Sequence, residues 1–137
     1  MYQITVIRNR PDFRVFIELL YSQEHNVDTD GDSEPVNSRA WTYLYMKDRM
    51  SNDPSVIIEA QHNGPLTFAV KSKSKKLAEL TAIYLLDYCG SAIKYDEEEL
   101  DNSAIEALRE KYAKELKKAQ NSIWHHSTDE KPYPNLD

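Results

Sequence analysis

Residues 66–90, LTFAVKSKSKKLAELTAIYLLDYCG, decide the fold, because they join the plainest strand pattern in the chain to its most apolar helix pattern. Leu66, Phe68 and Val70 alternate with Thr67, Ala69 and Lys71, the period of two that marks a strand with one buried face. Ser74 then offers an N-cap hydroxyl, and Lys75 to Cys89 contain neither Gly nor Pro, so a helix follows. Its apolar residues, among them Leu77, Leu80, Ile83, Leu85 and Cys89, surround the helix rather than forming one stripe, which implies burial on more than one side. Gly90 stands where a glycine taking positive φ would end that helix.

Upstream, His62-Asn63-Gly64-Pro65 is a hairpin signal, since Asn and Gly tolerate positive φ, and it pairs the 66–71 strand with one at Val56–Ile58. Trp41, Tyr43 and Tyr45 alternate with Thr42, Leu44 and Met46 in another strand, and Tyr2–Ile7 reads as the first. Asp12–Gln23 fits two periods: Phe13, Val15, Ile17, Leu19 and Tyr21 alternate, while Phe13, Phe16, Ile17, Leu20 and Tyr21 share a helical face. The β-branched and aromatic content favours a strand paired with the first through the loop Arg8–Asp12. His25–Ser38 is polar, with Gly31 and Pro35 as breakers, and reads as a long surface loop.

Downstream, Ser91–Tyr95 is a short strand or an extended connection. Ser103 and Glu106 form a capping box, and Ile105, Leu108, Tyr112, Leu116, Ala119 and Ile123 line one face of a helix to which Glu110 and Lys114 add an i,i+4 pair. The expected architecture is one α+β domain over residues 1–124, a mostly antiparallel sheet of about five strands with two C-terminal helices packed on one face. Residues 125–137, polar and containing Pro132 and Pro134, read as a loose tail.

The chain has 137 residues, 17 basic and 23 acidic, for a net charge of −6. That balance opposes direct nucleic-acid binding, which Lys and Arg drive, and suits a basic protein partner. Cys89 alone cannot form an internal disulfide and fits a reducing compartment; no signal-peptide order and no long apolar run appear, so a cytoplasmic protein off the membrane is expected. Three glycines, each with a turn or cap role, leave none to cradle phosphates. Neither a nucleophile elbow nor a dinucleotide pattern is present, and no cofactor is implied.

Three constellations remain. Acidic clusters at Glu24–Glu34 (Asp28, Asp30, Asp32, Glu34) and Asp96–Asp101 (Asp96, Glu97, Glu98, Glu99) can meet a basic partner, with Trp41, Tyr43 and Tyr45 as aromatic anchors. Within the first, Asn26, Asp28, Asp30 and Asp32 with Gly31 match the first half of a calcium loop, although Asn37 replaces the closing Glu. Lys71, Lys73, Lys75 and Lys76 make a basic strand-to-helix junction able to hold a phosphate. His125 and His126, being adjacent, diverge on a helix and do not chelate one ion. The first functional expectation is therefore a non-enzymatic acidic protein that neutralises a basic macromolecule, such as a toxin or a nucleic-acid enzyme, in the way of an immunity protein. The second is an oligomeric binder of nucleotide-type ligands at the lysine junction, and the third an enzyme whose catalytic residues are scattered in sequence.

Overall fold

The computed structural model describes residues 1–21 and 26–135, with the backbone alone at position 62. It is an α+β protein. Seven strands rather than about five form one antiparallel sheet: β1 (Tyr2–Val6), β2 (Val27–Gly31), β3 (Tyr43–Asp48), β4 (Val56–Asn63), β5 (Leu66–Ser72), β6 (Gly90–Tyr95) and β7 (Glu98–Glu99), in the spatial order β2-β3-β4-β5-β1-β6-β7. Four α-helices accompany it among the described residues, α1 (Arg14–Tyr21), α2 (Lys75–Cys89), α3 (Asn102–Lys111) and α4 (Ala113–Gln120), with a 3-10 turn at Ile123–His126.

Leu66–Gly90 forms β5 and α2 as its pattern requires. Ser74 caps α2 by accepting from the Leu77 N–H at 3.1 Å. The helix lies against β1, β5 and β6 and meets α1, α3 and α4, which explains its all-round apolar surface. Strand register then sorts the sheet residues. Ile4, Leu44, Met46, Val56, Ile58, Phe68, Val70 and Ile93 share one face and are buried. Gln3, Thr5, Tyr43, Tyr45, Ile57, Glu59, Lys71 and Lys94 occupy the other and are half-buried or exposed.

Several expectations give way. Residues 14–21 are the helix α1, not a strand beside β1, whose neighbours are β5 and β6. The reason is local: the Asp12 carboxylate accepts the Arg14 N–H at 3.0 Å and its carbonyl accepts the Val15 N–H at 3.1 Å, starting a helix that buries Val15, Phe16 and Leu19. The polar segment expected to be a loop contains β2, which lies at the sheet's end and so needs no apolar alternation. The late helix is split at Tyr112, and its cap is Asp101, which accepts the Ala104 N–H at 2.8 Å, instead of Ser103. Among the described residues no ion pair joins Glu110 and Lys114; Lys111 instead pairs with Glu79 of α2 at 2.9 Å.

The expected tail is docked through residue 133. Arg14 donates to the Pro132 carbonyl at 2.6 Å, and its guanidinium lies over the rings of Trp124 and Tyr133, at 4.1 and 5.0 Å from their centroids. Arg39 reaches the Trp124, His125 and Ser127 carbonyls, and Asn37 reaches Asp129 at 2.9 Å. Leu136 and Asp137 lie outside the described residues.

Gly90 takes φ −97°, not a positive value. Its role is close approach: a Cβ there would stand 2.8 Å from Ile4 Cγ2 and 2.9 Å from the Leu86 Cα. Gly90→Ala is expected to lower stability by about 1–3 kcal/mol through overpacking, read as a lower denaturation midpoint with an unchanged slope.

Candidate functional site

Two regions collect the residues singled out in the sequence. The first is the β2 edge. Cross-strand partners share a face, and Asp30 lies opposite Tyr45 and Asp28 opposite Lys47, so both acids stand on the exposed face that Tyr43 and Tyr45 also occupy. Asp28 pairs with Arg49 at 2.6 Å at the surface, and Asp30 accepts its neighbour Gly31 N–H at 2.8 Å. Glu34 is exposed beyond the strand. Glu24 and His25 lie outside the described residues.

Other members of this set are spent within the fold. Trp41 precedes β3, is fully buried, and donates its indole N–H to the Pro11 carbonyl at 2.8 Å. It belongs to the core and is not a contact for a partner. Asp32 accepts the Thr42 and Tyr43 N–H groups at 2.8 and 3.0 Å and the Thr42 hydroxyl. Burial would push its carboxyl up, but these donors outweigh it and hold the group below its ordinary range.

The half-match to a calcium loop fails for the same reason. Residues 27–31 are extended rather than wrapped around a centre, Asn26 uses its carbonyl on the Arg49 N–H at 2.9 Å, and Asp28, Asp30 and Asp32 are engaged as described. Among the described residues no group of three or more His, Cys, Asp or Glu side chains is placed to hold a metal ion.

The second acidic cluster stands at the opposite edge. Asp96 and Glu97 take positive φ, 49° and 74°, and form the turn between β6 and β7, while Glu98 and Glu99 make up β7. With β2 and β7 at the two ends of the sheet, the clusters are separated by roughly 25–30 Å at ~4.8 Å per strand spacing. They do not form one surface.

The second region is a groove of about 1010 Å³ where β5 hands over to α2. Lys71, Lys73 and Lys75 line one side, Tyr2 and Tyr95 another, and Glu79 lies between; Lys76 is not part of it. The two tyrosine rings contact each other, with centroids 4.7 Å apart. Sequence reading found the lysines but not Tyr2, Tyr95 or Glu79, which come from three separate segments and carry no shared spacing.

Glu79 is buried and accepts the Tyr112 hydroxyl at 2.6 Å and the Lys111 ammonium at 2.9 Å. Burial alone would raise its carboxyl; these two donors overcome that and keep it below its ordinary value of 4.5. Burial and the Glu79 contact push the Tyr112 hydroxyl up, so it stays protonated and donating.

Cys89 is buried at the far end of α2, and burial pushes its thiol up to about 11, leaving no nucleophile at neutral pH. His125 Nε2 lies 2.8 Å from the Ala119 carbonyl, and its ring stacks on Tyr88, so it finishes α4 rather than binding an ion. No helix among the described residues is long and apolar enough to cross a membrane. No family model, curated protein or solved structure matches this chain, which leaves its own residues as the ground for function.

A depressed carboxyl stabilises the fold above its unfolded pKa, and that gain is lost as pH falls through the folded value. Tyr112→Phe is therefore expected to cost about 1–3 kcal/mol at neutral pH, with the gap to wild type narrowing as pH falls below the ordinary carboxyl range. Urea denaturation across that range reads it.

Proposed function

We propose that this chain is a non-enzymatic binding protein that neutralises a basic protein partner, a toxin or a nucleic-acid enzyme, by occupying it through the β2 edge. The observation that carries this reading is the shared exposed face of Asp28, Asp30, Tyr43 and Tyr45 on adjacent strands. Acids beside half-exposed tyrosines combine charge complementarity with rigid rings that bury area at low entropic cost. The net charge of −6 favours encounter with a basic surface before contact. The Asp96–Glu99 edge lies too far away to share a compact contact and adds long-range attraction instead. Asp32 and Trp41 are not in the contact, since both are committed to the fold.

The test uses the tagged full chain recovered from its native cells, with co-purifying proteins identified and the recovered partner assayed for its own activity. Wild type is expected to retain one basic partner and suppress that activity. Asp28→Asn/Asp30→Asn/Tyr45→Ala weakens the complex by roughly tenfold or more, whereas Asp96→Asn/Glu98→Gln/Glu99→Gln mainly slows association. Equal affinity of wild type and the first variant for that partner overturns the reading.

A further inference from the structure

We infer that the groove between β5 and α2 is a second, independent binding site, taking a phosphorylated aromatic small molecule of the mononucleotide class. Its lining departs from the charge of the protein: it contains Lys71, Lys73 and Lys75 but a single carboxylate, Glu79, in a chain of net −6. That carboxylate, Glu79, is engaged by Tyr112 and Lys111 and also interacts with the charge of Lys75, one turn before it on α2. Lys71 pairs with Glu59 across the sheet, but among the described residues neither Lys73 nor Lys75 forms an ion pair with a carboxylate. A multiply charged anion supplies the counter-charge that Lys73 lacks.

Ser72 adds a donor. Its hydroxyl oxygen accepts the Ser74 N–H at 3.1 Å, which leaves the hydroxyl proton to point at a ligand oxygen. Opposite the lysines, Tyr2 is held in the core while Tyr95, 48% exposed, leans on it and offers a ring face to the groove. An aromatic ring stacks on such a face whatever its hydrogen-bonding edge. The volume of about 1010 Å³ lies at the upper end of the ~300–1,000 Å³ common to small-molecule sites, room for a phosphate and a ring together. One end thus selects negative charge and the other a planar ring, and a mononucleotide carries both.

Calorimetric titration of the full chain with ADP, pyrophosphate and adenosine tests this. ADP is expected to bind more tightly than either fragment. Lys73→Ala/Lys75→Ala should weaken ADP binding by about a hundredfold, near tenfold for each charged hydrogen bond removed. Tyr95→Ala should weaken ADP about tenfold while leaving pyrophosphate unchanged. Lys117→Ala/Lys118→Ala, on the surface of α4, should leave ADP binding as in wild type.

Three results overturn the assignment: no binding of any probe at millimolar concentration, an equal loss in the α4 variant, or equal affinities for ADP and pyrophosphate with Tyr95→Ala silent. None of these variants touches the β2 edge, so this inference and the partner-binding reading fail separately.

Discussion

Both ends of the chain are tied to the Asp12 carboxylate, which is fully buried. One of its oxygens accepts the Arg14 N–H and Nε at 3.0 Å each; the other accepts Arg14 Nη2 at 2.7 Å and the Ser127 hydroxyl at 2.6 Å. A buried charge is tolerable only when paired and hydrogen-bonded, and here the pairing draws on residues more than a hundred positions apart. Arg14 is enclosed by Trp124, Tyr133 and the Pro132 carbonyl, so the segment 124–133 serves as the lid of an ion pair. Among the described residues its Nη1 lacks a partner, a residual cost of closing the cluster. Start of α1, burial of Arg14 and docking of residues 124–133 therefore stand or fall together.

The central helix behaves differently at its two ends. At Cys89–Gly90 the absence of a side chain lets the backbone pass against Ile4 and Leu86, and α2 runs straight into β6. At Lys75–Glu79 the helix presents long charged stems and the small Ala78 where the other end presents Leu85, Leu86 and Cys89. Where α2 meets β6 the backbone packs closely, whereas beside Lys75, Ala78 and Glu79 it leaves the groove open. Lysine chemistry at the junction and the cavity beside it thus have one origin, the shift from apolar to charged residues along a single helix.

Much of the frame is legible in the sequence because it is periodic. Alternation in 66–71, the Ser74 cap and the Leu108, Tyr112, Leu116, Ala119 stripe follow from local rules, and the structure obeys them; the hairpin between β4 and β5 forms as well, but its turn is Gly64-Pro65 and neither Asn63 nor Gly64 takes the positive φ that pointed to it. Residues 12–21 mislead because eight helical residues fit both periods; Pro11-Asp12 ahead of them is the signal for a helix start, and it outweighs the β-branched content that follows. β2 is hidden by its position, since a terminal strand has little to bury and can be polar throughout. Trp41 continues the alternation of Tyr43 and Tyr45 in sequence, yet the strand begins after it and the ring turns into the core against Phe16 and Phe68. Residues 125–133 read as loose because stacking of Trp124 and Tyr133 on a distant arginine leaves no mark in local composition. The groove is half legible: its lysines alternate within one short stretch of sequence, whereas Tyr2 and Tyr95 meet only through the pairing of β1 with β6.

The two terminal strands also govern how copies of this protein treat one another. A sheet edge is an invitation to further pairing, and both edges here bear carboxylates, Asp28 and Asp30 on β2 and Glu98 and Glu99 on β7. Any edge-to-edge stacking of two molecules would bring acid against acid, whichever edges meet. The carboxylates thereby set the sheet against growing into a fibre, a colloidal protection written into its two terminal strands.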